Sequence, residues 1–551
     1  MSHKKKQTTA SARHNFSTPS VSPASSTATA KPSAWCRLPW PYIVTFVLFL
    51  IFSYAVYGDV FHRAAEANFI STDSGQMKFL TEQSWGWLYW CGRWLLLAFK
   101  SLVVGAVVLS IMLTAIAALT DRLIGLSRRW QGTGAIVSAV LVGWMLWRGT
   151  NLYYKFEPSL FMIVPALVLL GLGVACLARR FVLRRTPADA SRAALGWGCL
   201  VPCLLFAGLT FAARYWNENE ILTARVQLRA QHADWDGIID DALSAKRPSR
   251  AVVAYYAIAL EQNEQLLDRL YDIAFDFPDV RLKKKDGSEE YGLFLADCNL
   301  YAGLVNMGYR CNMDHIVING PNVYAIKRMA LCAILNGEQA LARKYLDILS
   351  HVPFEQAFIE RYAPMVTDRQ LVEADPELHA ILALAPQGNH FEQNYRSPAF
   401  LGYNTGLVSG TDASLETAIA ACLYSKEIAR CLPHISIYAQ KNGGRLPVAV
   451  QQALLIAANS NPAVASNFAP YISAQQNTIM AFIAAAKPII DERMRLSEGK
   501  SEAEKERLKH EYNAKLREAL HEDWLGNYVY YYYCENNDQN QVKTETKSAV
   551  N

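Results

Sequence analysis

Cys199 and Cys203 stand one helical turn apart around Pro202, a spacing at which two thiolates can share a soft metal ion. Two thiols make only half a site, and within an apolar run they read as small packing residues. His510-Glu511 and His521-Glu522 each open like a zinc-binding helix, but neither has the second histidine four positions on. Asp240 and Asp241 are adjacent, so a helix turns them to different sides; they read as a solvated edge rather than an acid–base dyad. His315 falls in CNMDHIVINGPN beside Asp314 and Cys311, a stretch that reads as a loop, where a lone histidine is most often structural. Phosphate-binding loops, nucleophile elbows and CxxC pairs are missing from the chain. The residues therefore assign no catalytic group, no metal ligand and no cofactor, and they lean away from an enzyme.

Six cysteines fall in the second half: Cys298, Cys311, Cys332, Cys422, Cys431 and Cys534. In an oxidising compartment an even count permits bridges, with Cys422–Cys431 and Cys298–Cys311 the pairs nearest in sequence; buried free thiols are the alternative.

The elements that hold these residues divide sharply. Residues 1–37 are polar and basic, with almost no large apolar side chain, and are expected to be a disordered tail; a second polar tail covers 535–551. Residues 38–213 hold five apolar runs: 40–57, 94–120, 133–147, 160–178 and 194–213. A helix of roughly 20 apolar residues crosses a bilayer core about 30 Å thick, so these read as five membrane helices, the third being short. Trp40, Tyr57, Trp94, Trp147 and Trp216 mark run ends, where amphipathic rings favour the interface. The connections on one side carry 14 Lys and Arg (Lys4, Lys5, Lys6, Arg13, Lys31, Arg37, Arg122, Arg128, Arg129, Arg179, Arg180, Arg184, Arg185 and Arg192), against 5 on the other (Arg63, Lys78, Arg93, Arg148 and Lys155). The positive-inside rule then places the N-terminus in the cytoplasm and everything after the fifth run outside it. Lys100 is the one charge well within a run; lying near the outer end, it is expected to snorkel to the surface.

Residues 214–534 read as a soluble all-α domain. Helical periodicity places Trp235, Ile238, Ile239 and Leu243 on one face, and 250–263 forms the next helix after Pro248-Ser249. In 322–353, Asn336-Gly337 divides one helix from a second carrying Tyr345 and Leu349, a hairpin that looks like a degenerate tetratricopeptide unit. The pattern predicts an α-solenoid-like stack, with 490–524 as a long charged helix on its surface.

NYVYYYYC at 527–534 follows Gly526. On a short helix Tyr528, Tyr531 and Tyr532 share one face, with Tyr530 and Tyr533 on another. Packing across the preceding hairpins is the leading expectation; membrane contact and a ligand platform are the others.

The stretches VFHRAAEANFISTDSGQMKFLTEQ, NGEQALARKYLDILSHVPFEQAF and WLGNYVYYYYC resemble an uncharacterised family of multi-pass membrane proteins from Bacteroidetes, the domain-of-unknown-function 6057 family. The resemblance implies a membrane domain followed by helical repeats and no established activity.

The resulting expectation is an inner-membrane protein with five spans, an extracytoplasmic helical-repeat domain, and a role as scaffold or binding module for another envelope protein or peptide. An enzyme or carrier acting on envelope lipid or glycan is the alternative, with Asp59, Glu66, Asp73 and Glu82 as its surface acids; a purely structural membrane component is a third reading. The net charge of +5 is small and scattered, which argues against nucleic acid as a partner and leaves the oligomeric state open.

Overall fold

The computed structural model describes residues 39–125, 130–149, 157–182, 196–275, 277, 294–386 and 413–535. Both expected tails, except Glu535, which is buried, and Arg128, Arg129, Lys155, Arg184, Arg185 and Arg192 lie outside these. Among the described residues every regular element is helical.

The first part is built from α1 (Trp40–Ile51), α2 (Gly58–Glu66), α3 (Lys78–Thr81), α4 (Gly86–Leu96), α5 (Leu102–Ile124), α6 (Ala135–Arg148), α7 (Leu160–Val182) and α8 (Gly196–Trp216). Three stretches, Leu102–Ile124, Leu160–Arg180 and Gly198–Trp216, are long and apolar enough to cross a membrane. A fourth joins if α1, with its π-turn to Val56, is taken together with α2, but the two bend by 64° where they meet. The second apolar run is not one helix. It breaks into α4, a 3₁₀ turn over Leu97–Lys100 and α5, because Ser101 adopts extended backbone.

Helix ends sort into two layers. At one end Tyr42 Oη donates to Asp121 Oδ2 (2.8 Å), the same carboxylate accepts from Gly132 N (2.6 Å) and Gly134 N (2.7 Å), and Arg179 reaches the Arg122 carbonyl (2.9 Å). At the other, Asn217 Nδ2 donates to Leu146 O (2.7 Å) and Tyr57 Oη to Glu220 (2.9 Å). Thus α6 runs the full bundle although its 14 residues give a rise of only about 21 Å. Tyr57 is fully buried, not interfacial as its position in the run suggests, while Trp94, Trp147 and Trp216 are exposed.

The second part continues as α9 (Glu218–Ala230), α10 (Trp235–Leu243), α11 (Arg250–Gln262), α12 (Leu266–Arg269), α13 (Leu295–Tyr301), α14 (Val305–Asn319), α15 (Val323–Leu335) and α16 (Gln339–Ser350). It closes with α17 (Gln356–Tyr362), α18 (Arg369–Ala374), α19 (Pro376–Leu384), α20 (Leu415–Tyr424), α21 (Ile428–Lys441), α22 (Val448–Ala458), α23 (Pro462–Asn467), α24 (Ala469–Ser497), α25 (Glu502–Trp524) and α26 (Tyr528–Cys534). From α13 to α16 each helix packs on its neighbour in the chain.

Asn322 caps α15 through Ala325 N, and Gly337, at φ +74°, turns the chain into α16. His315 is helical rather than in a loop, because α14 runs on until Gly320 (φ +88°) stops it. The charged stretch 490–524 is not one helix either. Gly499, at φ +74°, ends α24, and Ser501 with Glu504 forms a capping box that starts α25. Lys515 then pairs back to Glu492 across the hairpin (2.8 Å).

Two cores result. One lies among the apolar helices with α2 and the start of α9. The other fills the second part and recruits Phe69, Ile70, Met77, Leu80 and Leu97 from the first.

Candidate functional site at the junction of the two parts

Lys100 does not snorkel. The 3₁₀ turn that ends at this residue directs its ammonium inward, to Glu66 Oε1 (2.6 Å) at the end of α2 and to Glu355 Oε1 at the start of α17. Lys327, on α15, meets the other oxygen of each carboxylate, Glu66 Oε2 at 3.2 Å and Glu355 Oε2 at 2.7 Å. Two ammoniums and two carboxylates therefore alternate in a closed ring with no net charge. The four side chains are between 2% and 14% exposed.

Burial alone disfavours each charge; the mutual pairing offsets it. Glu66 lies outside the spanning helices, since α2 turns away from α1 and packs on α9. Burial pushes its carboxyl up, but Lys100 and Lys327 outweigh this and hold it at about 2. For Lys100 burial pushes the ammonium down, and the two carboxylates carry it above its usual value. His62, 4.0 Å from Glu66, is held below its usual value by burial, against the opposing pull of Glu66.

Around the ring, α2 is fixed on α9 by Asp59–Arg225 (2.8 Å) and by Arg63 donating to Gln227. The connection after α2 is tied to the second part through its backbone: Val323 N donates to Asn68 O (3.2 Å) and Thr72 N to His351 O (2.9 Å). Arg93 forms a fork on Glu157 (3.0 and 2.7 Å) and donates to Phe69 O (2.9 Å).

Beside Glu66 opens a cavity of about 40 Å³, lined by Arg63, Gln227, Asn312, His315, Asn322 and Tyr324 among others. That volume holds roughly three waters. Burial, with Arg63 nearby, pushes His315 down to about 4. Its neutral ring accepts at Nδ1 from Asn319 (3.2 Å). The cavity offers a guanidinium, amides, a phenol and a neutral imidazole: groups that bind, with no activated nucleophile among them.

Of the four surface acids, Asp59 and Glu66 are committed to ion pairs within the fold, whereas Asp73 caps its own turn through Gly75 N (2.9 Å). Glu82 lies on the exposed surface after α3.

The remaining flagged residues lie elsewhere. Trp235 stands edge-on to Tyr301 (5.4 Å), and Tyr345 shares a hydrogen bond with Tyr309 (2.6 Å). Cys298, Cys311, Cys422 and Cys431 are all free thiols. Cys422 and Cys431 are buried together, and Cys431 is pushed up by the hydrogen bond to Cys422 and by burial.

On α26, Tyr528, Tyr530 and Tyr531 are buried, Tyr532 partly, and Tyr533 is half exposed, so the division of faces differs from the expected one. Tyr530 is buried because α25 doubles back over it, accepting its hydroxyl proton at Arg517 O (3.1 Å). The cluster inserts between Tyr271 and Tyr424, and Tyr528 Oη donates to Leu423 O (2.9 Å).

Sequence reasoning singled out Lys100 as a charge within an apolar run but read it as snorkelling and missed its partners, since Lys327 and Glu355 carry no local mark. The profile of a family of unknown function (DUF6057) matches residues 34–213 and 157–535. No curated protein and no solved structure matches the chain.

Proposed function

The chain belongs to the DUF6057 family of unknown function, and from that premise we propose that it is a multi-pass inner-membrane scaffold. Its second part would be an extracytoplasmic, tetratricopeptide-like module that binds another envelope protein or peptide. The two-layer sorting of helix ends supports the topology: Arg122 and Arg179 lie at the end of the bundle opposite α9, which agrees with arginine-rich connections staying inside. Consecutive packing of α13 to α16 supports the repeat reading.

The observation that carries the binding role is the outer face of α24. Met480 (60% exposed) and Ile483 (48%) stand there with exposed Ala481, Ala484 and Pro488, and Lys487 is the one charge between 480 and 490. An apolar stripe of this kind fits the apolar face of a partner helix. The ring at residues 66, 100, 327 and 355 holds the module at a fixed attitude to the bundle, which a scaffold needs.

Two experiments test this. A reporter fused after α8 is active outside the cytoplasm; cytoplasmic activity refutes the topology. A photoreactive residue at Met480 in cells gives one discrete protein adduct, abolished by Ile483→Asp; adducts that are absent, or unchanged in the variant, refute the binding face.

A further inference from the structure

The turn between α16 and α17 contains a backbone outlier. Phe354 sits at φ +69°, in the left-handed region that bulky side chains avoid, and it is 73% exposed. Such strain persists only where the surroundings impose it. Here they do. Glu355 is held in the four-charge ring, His351 accepts from Thr72, and Pro353 restricts the chain between them. The clamped turn projects an aromatic ring into open space rather than into a core.

Where that turn lies follows from Lys100. This residue binds Glu355 and stands two positions before Leu102, the first residue of α5, whose opening turn exposes Val103 and Val104. Phe354 is thus carried to the level at which α5 begins. A second set of exposed aromatics stands on and just before α4, the helix that leads into the Leu97–Lys100 turn: Trp85 (67%), Trp87 (62%), Trp90 and Trp94. Trp85 is likewise left-handed, at φ +64°. Helix α4 packs on α7, with Gly92 against Ser159 and Ile163 at the start of that helix.

We propose that Phe354, together with Trp85 and Trp87, inserts into the outer leaflet of the bilayer, so that the helical-repeat module is docked on the lipid surface as well as joined to the spans. The inference rests on α5, α7 and α8 being membrane-crossing helices. Its occupant is phospholipid because Phe354 adjoins Glu355, the partner of Lys100 two positions before a span, because α4 packs on the span α7, and because aromatic rings collect at the membrane interface.

The test is photocrosslinking of the full chain reconstituted in phosphatidylethanolamine–phosphatidylglycerol vesicles. Benzoylphenylalanine replaces Phe354, Trp87, Leu170 or Val448 one at a time. Leu170 reports a span; Val448, of comparable exposure, lies on α22 among the later helices of the repeat part. Phospholipid adducts at Phe354 and Trp87 at least about tenfold above those at Val448 are the expected result. Lipid adducts at Leu170 with none at Phe354, or with protein adducts there from a second copy, overturn the docking alone. Failure at Leu170 as well overturns the membrane reading beneath it.

Discussion

Replacing Lys100 by methionine removes one ammonium from the ring and leaves Glu66 and Glu355 to Lys327. The other three groups stay buried with a net charge of −1. Removing one partner of a buried pair costs about 3–5 kcal/mol, chiefly because the stranded charge cannot regain water. Lys327 still touches both carboxylates, at 3.2 and 2.7 Å, so the lower part of that range applies. For a cooperative unit of roughly 300 residues a loss of about 3 kcal/mol lowers Tm by about 5 °C. Thermal unfolding of the detergent-solubilised protein, followed by circular dichroism, measures it. The double variant Lys100→Met with Glu355→Gln restores neutrality around the surviving Glu66–Lys327 pair. It is expected to be more stable than the sum of the single changes implies, with a coupling of about 2 kcal/mol. A Lys100→Met protein within about 1 kcal/mol of the parent, or strictly additive single effects, refutes the ring as a stabilising unit.

Glu66 has a folded value of about 2 against 4.5 unperturbed. Its stabilisation is complete above pH 4.5 and is lost as the pH falls toward 2, on the order of 3 kcal/mol in all. Glu66→Gln is expected to flatten the acid limb of a stability–pH curve; an unchanged limb refutes the assignment. Gly134→Ala places a Cβ 2.2 Å from Ala117 O and 2.8 Å from Asp121 Oδ1, so the α5–α6 turn must shift, at about 1–3 kcal/mol, read as lost monodispersity in detergent. Tyr528→Phe removes the hydroxyl's hydrogen bond to Leu423 O, a carbonyl that keeps Lys426 N as donor (3.0 Å), and is expected to cost about 1 kcal/mol in the same unfolding assay. Tyr533→Phe, at a half-exposed ring, is expected to be neutral.

Much of the architecture is visible along the chain because it is encoded by neighbours in sequence. Apolar runs of span length, the arginines between them, and the Asn336-Gly337 break are local patterns; Arg122, Arg179 and Arg180 fall in last helical turns, and Asn336-Gly337 ends α15. Helices α10, α11, α15, α16 and α22 follow the periodicity closely for the same reason. Local reading went wrong where one signal masked another. The apolar run 94–120 concealed a chain break at Ser101, and the charge pattern of 490–524 concealed Gly499 between two helices.

What the amino-acid order decided by itself is the inventory: which segments are apolar, which are helical, and which connections are basic. Only the tertiary structure decided that residues 66, 100, 327 and 355 meet. Glu355 lies 255 positions from Lys100, and nothing in either residue's surroundings along the chain encodes the other. Along the chain Lys100 reads as a snorkelling residue; a buried lysine costs too much to remain unpaired, and only the folded chain, by bringing four distant segments to one point, supplies the carboxylates that hold it inward.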